Sequence, residues 1–275
     1  MSLLEALILG IVQGLTEFLP VSSSAHLVLV PDVMGWDPPS VAFDLVLHLG
    51  TMVAVLAYFW RDILEIIRAF SEKGKAAVVK RRIGLFLVIG TIPAAVIGGL
   101  FASKFEEFFV EPAWVAFFLI ITGVLLVASQ KVSGTRALHG RGAAQMKISD
   151  TLWIGFTQAA AILPGISRSG STISTGLFLG LKRETAARYS FLLSVPIIAG
   201  AAVFQLRHGF GGGDGEGGSN GETMATLVVG FIAAAISGFA AVKFLLGFVR
   251  HHSLAIFAIY CWVVGGAVLI SKLIG

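Results

Sequence analysis

Apolar residues run along this chain in long blocks separated by short polar stretches. Six blocks, 41–60, 83–103, 113–130, 189–206, 224–244 and 253–271, are each close to the length that spans a bilayer as an α-helix. Each therefore predicts a transmembrane helix. Two further segments, 3–30 and 150–181, are apolar at their ends but broken in the middle. The first break reads TEFLPVSSSAH, Thr16 to His26. The second reads LPGISRSGST, Leu163 to Thr172. Proline interrupts helical hydrogen bonding and glycine allows sharp turns. Both segments are therefore expected to turn in the middle, with tips at Pro20 and Pro164.

Composition places the chain in lipid. It is 56% hydrophobic and 13% charged, with a mean hydropathy of +0.88, whereas soluble domains carry about 25% charged residues. There are too many apolar blocks for a secretory signal, and Met1–Gly10 has no basic start or cleavage site, so a mature amino terminus is expected. The single cysteine, Cys261, rules out an internal disulfide and a cysteine-based metal site. The net charge of +4 sits in short loops between spans and gives no nucleic-acid signal. The stretch Gly209–Glu222 reads as a flexible glycine-rich loop.

The two halves resemble each other. Gly10 and Gln13 answer Gly155 and Gln158; Pro20 and Ser23 answer Pro164 and Ser167 after one gap. FDLVLHLGTMVAVLAYFWR answers YSFLLSVPIIAGAAVFQLR. Gly90 and Gly98 match Gly230 and Gly238, and Gly123 and Ser129 match Gly265 and Ser271. Four matches in one order indicate an internal duplication, with repeats at 1–130 and 131–275.

Charge decides between two topologies. Loop 61–82 carries Arg61, Arg68, Lys73, Lys75, Lys80, Arg81 and Arg82; loop 131–149 carries Lys131, Arg136, Arg141 and Lys147. Lys182, Arg183 and Arg188 follow the second broken segment, and Lys243 and Arg250 lie between the last two spans. The opposite loops hold Lys104, Arg207 and Lys272 with acids at 32, 37, 106, 107, 111, 214, 216 and 222. Only a re-entrant path for both broken segments puts all four basic groups on the cytoplasmic side. The expectation is an all-α integral membrane protein: an inverted-topology repeat with six transmembrane helices and two re-entrant helical hairpins. Hairpin 3–30 opens outward, hairpin 150–181 opens to the cytoplasm, and both termini lie outside.

Irregular backbone at membrane depth must be covered by protein or water, so the two tips are expected to meet near the midplane in a polar chamber. The first supplies Glu17, Ser22, Ser23, Ser24 and His26. Gln13 lies one helical turn before Glu17, so both could offer oxygens to one cation. The second tip places Ser167, Arg168, Ser169, Ser171 and Thr172 around Gly165 and Gly170. Its backbone N–H groups suit an anion nest, and Arg168 adds a planar fork for phosphate or carboxylate. An anion cradle, a hydroxyl or imidazole and a carboxylate together suit phosphoryl transfer to water. Charged residues at this depth are functional by default, which singles out Glu17 and Arg168. Isolated serines often only bond neighbouring helices. Asp44 and His48, one turn apart, line the outer entrance or anchor the interface. Lys182, Arg183 and Arg188 set topology, and Trp60 and Trp114 read as interface anchors. A competing class is a secondary transporter or lipid flippase, because inverted repeats with broken helices also mark transporters.

QGLTEFLPVSSSAH and LPGISRSGSTIS, with FDLVLHLGT and RYSFLLSVP, resemble the signature segments of the undecaprenyl-diphosphate phosphatase family of the bacitracin-resistance type. The resemblance covers essentially the whole chain. It implies a multi-pass enzyme of the bacterial plasma membrane that hydrolyses undecaprenyl diphosphate to the monophosphate and inorganic phosphate. That reaction recycles the lipid carrier of cell-wall synthesis. The resemblance also implies a homodimer and assistance by Mg²⁺ or Ca²⁺. The family's first motif starts with Glu or Gln; here it is Gln13, which leaves Glu17 as the main acid/base or metal ligand. Ser23, His26, Ser167, Arg168, Ser169 and Thr172 occupy the other motif positions. The expected roles are Arg168, Thr172 and the N–H groups of 165–172 on the phosphate oxygens, with Ser22 and Ser24 beside them. The attacking group is Ser23, His26 or a water activated by one of them, and the headgroup enters from the outer face.

Overall fold

The computed structural model describes residues 1–106, 111–134, 136–208 and 222–274. The predicted glycine-rich loop lies almost wholly outside these residues, as do Glu107, Asp214 and Glu216. The regular structure of the described residues is helical, with no strand beyond one isolated bridge between Arg141 and Leu181.

Twelve α-helices follow in order. They are α1 (Leu3–Phe18), α2 (Ser23–Met34), α3 (Val41–Tyr58), α4 (Trp60–Arg68), α5 (Lys75–Glu106) and α6 (Pro112–Ser133), then α7 (Arg136–His139), α8 (Ile148–Ala160), α9 (Arg168–Phe178), α10 (Arg183–His208), α11 (Met224–His251) and α12 (Ala255–Ile274). Six of them, α3, α5, α6, α10, α11 and α12, are long and apolar enough to cross a membrane. They are the six predicted blocks. The largest shift is in α5, which begins eight residues before its apolar block because Lys75 to Arg82 continue the same helix.

Both broken segments are two helices with a turn between them. In the first, Leu19 is extended, as a residue before proline prefers. Ser22 then takes φ +67 and caps α2 through the Ala25 N–H. In the second, Gly165 takes φ +100, and a Cβ there would sit 2.8 Å from that of Phe118. Ser167 caps α9 by accepting the Gly170 N–H at 3.0 Å.

Helix α1 shows how lipid and polar groups are sorted. Leu4, Leu7, Ile11 and Leu15 are exposed along one face, whereas Ala6, Leu9, Gly10, Gln13 and Glu17 are buried on the other. A helix that hides its polar face inside the bundle avoids the cost of charge in hydrocarbon.

Small residues let the helices approach closely. α1 packs on α11, and α8 packs on α5. A Cβ on Gly10 would lie 2.6 Å from the Gly230 carbonyl oxygen, and one on Gly155 would lie 2.5 Å from that of Gly90. These are backbone-to-backbone approaches that only glycine permits. The pairs Gly10/Gly155 and Gly90/Gly230 are those matched between the two halves.

The contacts also give the directions. Gly10 faces Gly230 and Gly14 faces Ala234 and Gly238, so α1 and α11 run parallel. Leu47 faces Gly230 and Ala54 faces Gly238, so α3 also runs parallel to α11. Gly155 faces Gly90 and Ile162 faces Gly98, which makes α8 parallel to α5. Helices α6 and α12 run antiparallel, with Gly265 against Ala116 and Gly123 against Ala258.

Two features lie at the basic end. Helix α4 exposes Trp60, Leu64 and Ile67 along one stripe. Its acids turn away, Asp62 to Arg188 at 2.6 Å and Glu65 to Lys80 at 3.1 Å. An outward apolar stripe beside Arg61 and Arg68 is the pattern of a helix lying in the membrane–water interface. Arg141 forms a two-pronged pair with Asp150, at 2.7 and 2.9 Å, and also donates to the Leu179 carbonyl at 2.6 Å. It thereby ties the loop before α8 to the end of α9. The hydrogen bonds to Asp150 raise the Arg141 pKa above its ordinary value.

Candidate active site

The two tips touch. The Ser169 hydroxyl donates to the Leu19 carbonyl at 3.0 Å, and the Gly165 N–H reaches the Ser24 hydroxyl at 3.5 Å. Arg168, the first residue of α9, donates from Nη2 to Glu17 Oε1 at 2.6 Å. The pair is enclosed: the Glu17 side chain is 6% exposed and that of Arg168 14%.

The two carboxylate oxygens of Glu17 have different partners. Oε1 holds the guanidinium. Oε2 accepts the Ser23 hydroxyl at 2.5 Å and the Gln13 Nε2 at 3.1 Å. Sequence spacing alone accounts for the Gln13 contact, since i and i+4 share a helix face. The Ser23 contact needs the Pro20 turn, which folds α2 back beside the end of α1. Arg168 also donates from Nη1 to the Ser190 carbonyl at 3.2 Å. The bonds to Glu17 and Ser190 engage two of the five N–H donors of the guanidinium.

His48 Nε2 lies 3.7 Å from Glu17 Oε2, with the side chain 31% exposed. Its Nδ1 is 2.7 Å from the Asp44 carbonyl, which fixes Nδ1 as the protonated nitrogen. The sequence left His48 between an entrance and an anchor; the structure sets its ring beside the carboxylate. His26, by contrast, turns away from Glu17. Its Nδ1 lies 2.7 Å from the Ser22 carbonyl and its Nε2 2.7 Å from the Tyr260 hydroxyl. The sequence reading missed Tyr260, because a tyrosine within an apolar block carries no signal of its own.

The second tip also differs in detail. Of the N–H groups expected to form a nest, that of Ser167 donates to Thr122 Oγ1 at 3.0 Å, and that of Ser171 to the Ser167 carbonyl at 2.8 Å. The Gly165 and Gly170 groups are engaged as described above. The Thr172 hydroxyl bonds the Arg168 carbonyl and the Ser190 hydroxyl, and the hydroxyls of Ser167 and Ser169 pair with each other at 3.1 Å. Those groups brace the turn and α9. The Arg168 guanidinium is the group of this tip that reaches the carboxylate. Ser22 and Ser24 likewise pair at 3.1 Å on the first tip.

Metal donors are few. Among the described residues no three His, Cys, Asp or Glu side chains gather as a metal site. Gln13 turns its amide nitrogen to Glu17 and leaves Oε1 buried without a partner among the described residues. One carboxylate and one orphan amide oxygen fit a hard cation only where phosphate oxygens complete the shell, which is how Mg²⁺ is commonly held.

Sequence comparisons identify the family. The profile of the family described as bacitracin resistance protein BacA matches residues 6–267. A protein of Methanobrevibacter smithii named undecaprenyl-diphosphatase is 41% identical, with 99% of each chain covered. Proteins of the same name from Moorella thermoacetica and Desulfatibacillum aliphaticivorans are 42% and 43% identical. The first pairing covers 94% of each chain, and the second 98% of this chain and 99% of the relative. With both signature segments inside the matched region, the chain belongs to the bacitracin resistance protein BacA family.

Proposed function

We propose that this protein hydrolyses undecaprenyl diphosphate to undecaprenyl phosphate and inorganic phosphate at the Glu17–Arg168–Ser23 cluster, and so recycles the lipid carrier of cell-wall synthesis. The observation that carries the mechanism is the Ser23 hydroxyl donating to a carboxylate whose other oxygen is held by an arginine. That is a nucleophile with a base attached and an anion-holding group alongside.

In the first step Ser23 Oγ attacks the terminal phosphorus and its proton passes to Glu17 Oε2. The bridging P–O bond breaks, and the departing lipid monophosphate takes the electron pair and then the proton. In the second step a water gives its proton to Glu17 and attacks the phosphoserine; Ser23 Oγ leaves with that proton. Arg168 stabilises the charge on the transferring oxygens in both steps. This assignment favours Ser23 over His26 as the attacking group, because the Nε2 of His26 faces Tyr260 rather than the carboxylate. Glu17 and Gln13, the latter through its unpartnered Oε1, are the residues that would hold Mg²⁺ or Ca²⁺ together with the diphosphate; such an ion would supply charge neutralisation.

The test uses purified, detergent-solubilised protein with a long-chain prenyl diphosphate labelled on the terminal phosphate. Release of phosphate, with label trapped on Ser23 after rapid acid quench, is expected. A transporter has no gradient to act on in detergent, so absence of release would reject the phosphatase and favour the transporter class. Release with label on His26, or with none on the protein, would replace Ser23 as nucleophile.

The reading of two inverted repeats with re-entrant hairpins is part of the proposal. It is supported by helix direction. α1 and α3 both run parallel to α11, and a chain whose first broken segment crossed fully would reverse between α1 and α3. A fully crossing second segment would likewise set α3 against α11. Both tips then approach the midplane from opposite faces, the termini lie outside, and the headgroup enters from the outer side of the plasma membrane. A reporter enzyme that folds only outside the cytoplasm is expected to be active at either end of the chain. Activity at one end alone would overturn this topology.

A further inference from the structure

Three consecutive residues of α12 grip the first tip and its neighbour α6. Cys261 is fully buried, with Sγ 3.7 Å from the Pro20 carbonyl oxygen. Trp262 Nε1 donates to the Ile120 carbonyl at 3.2 Å. The Tyr260 hydroxyl lies 2.7 Å from His26 Nε2, and the two rings stack with centroids 5.7 Å apart and planes 11° from parallel. The contacts on either side lock the rotation of α12. The reach of Tyr260 is therefore built into the fold.

The tautomer of His26 follows from its partners. The Ser22 carbonyl can only accept, so the nearby Nδ1 carries the hydrogen. In the neutral ring Nε2 is then a lone pair, and the Tyr260 O–H donates to it. Every polar atom of this 7% exposed imidazole is accounted for by two protein partners. One of them comes from the far end of the chain.

We propose that Tyr260 is a positioning residue for His26. Together with the Ser22 carbonyl it holds the ring's orientation and its Nδ1-protonated tautomer, and it covers Nε2. The proposal rests on the phosphatase reading in that His26 stands one helical turn after Ser23 on α2, so the anchor of its ring bears on the placement of the nucleophile. Without the phenol O–H, the imidazole keeps its stack but loses one of its two anchors. Nε2 then has no fixed partner, and the start of α2 that carries Ser23 is held less firmly.

The experiment compares wild type with Tyr260→Phe, which keeps the ring stack, and His26→Gln. Phosphate release is measured in detergent, and nitrogen NMR is recorded on protein carrying ¹⁵N-histidine. The signals missing from His26→Gln identify the His26 ring. Wild type is expected to show an Nδ1-protonated ring with a hydrogen-bonded Nε2. Tyr260→Phe is expected to shift the Nε2 resonance and to lower kcat roughly three- to tenfold, the worth of one neutral hydrogen bond. KM should stay within about twofold and thermal stability near that of wild type, as expected of a contact acting through orientation. An unmoved Nε2 resonance overturns the proposal, even if kcat falls. So does a moved resonance with unchanged kcat, or full activity in His26→Gln. Failure of wild type to release phosphate rejects the phosphatase reading instead, while the NMR comparison still decides the Tyr260–His26 bond.

Discussion

Arg168→Ala is expected to lower kcat/KM for prenyl diphosphate hydrolysis by about 10²- to 10³-fold, the loss of roughly 3–4 kcal/mol of transition-state stabilisation. The guanidinium is the cation that the second tip sends against the first, and phosphoryl transfer spreads negative charge over oxygens that need such a partner. The same change leaves Glu17 buried with no counter-charge, and breaking a buried pair from one side costs about 3–5 kcal/mol of stability. Thermal stability is therefore expected to fall as well, and activity should be read on protein shown to be folded at the assay temperature. Arg168→Lys separates the two effects. It keeps the charge beside Glu17 but cannot bond Glu17 and the Ser190 carbonyl through a rigid fork. It should regain much of the stability and little of the rate. If folded Arg168→Ala protein turns over within tenfold of wild type, Arg168 is not the charge stabiliser.

Glu17→Gln is the second large effect. The amide keeps the shape of the side chain and can still meet Ser23, but it cannot take a proton. General-base catalysis is worth about 10²- to 10⁴-fold, and kcat is expected to fall by that amount with KM little changed. The burst of labelled phosphoserine should disappear together with turnover, because both steps use the same carboxylate. Persistence of the burst with slow turnover would restrict Glu17 to the second step. Normal rates for both steps would remove it from the chemistry.

The site was legible in the sequence where local rules reach. The Gln13–Glu17 contact follows from helical spacing. The cost of charge in hydrocarbon singles out Glu17 and Arg168 from the sequence alone, and the structure brings them to 2.6 Å. Legibility ended at partners far apart in the chain. His48 reads as lining an entrance or anchoring the interface, and the structure sets its ring 3.7 Å from Glu17. His26 read as a neighbour of the carboxylate and turns to Tyr260. The nest expected at 165–172 lends most of its donors to Thr122, Ser24 and its own turn. A helix face can be read from spacing, but which of several neighbours a buried donor chooses depends on three-dimensional packing.

The sequence by itself determined the solvent of this protein, its six spanning helices and the two places where helices break. Those features follow from the length of apolar runs and from the backbone limits of proline and glycine, which act over a few residues. It also singled out Gly10, Gly90, Gly155 and Gly230 as related positions without saying what they do. Tertiary structure alone decided that Gly10 closes on Gly230 and Gly155 on Gly90. It likewise decided that Arg168 meets Glu17 and that α12 delivers a tyrosine to His26. Close packing admits few arrangements of such helices, and the choice among them depends on contacts between residues up to more than two hundred positions apart, which no local pattern encodes.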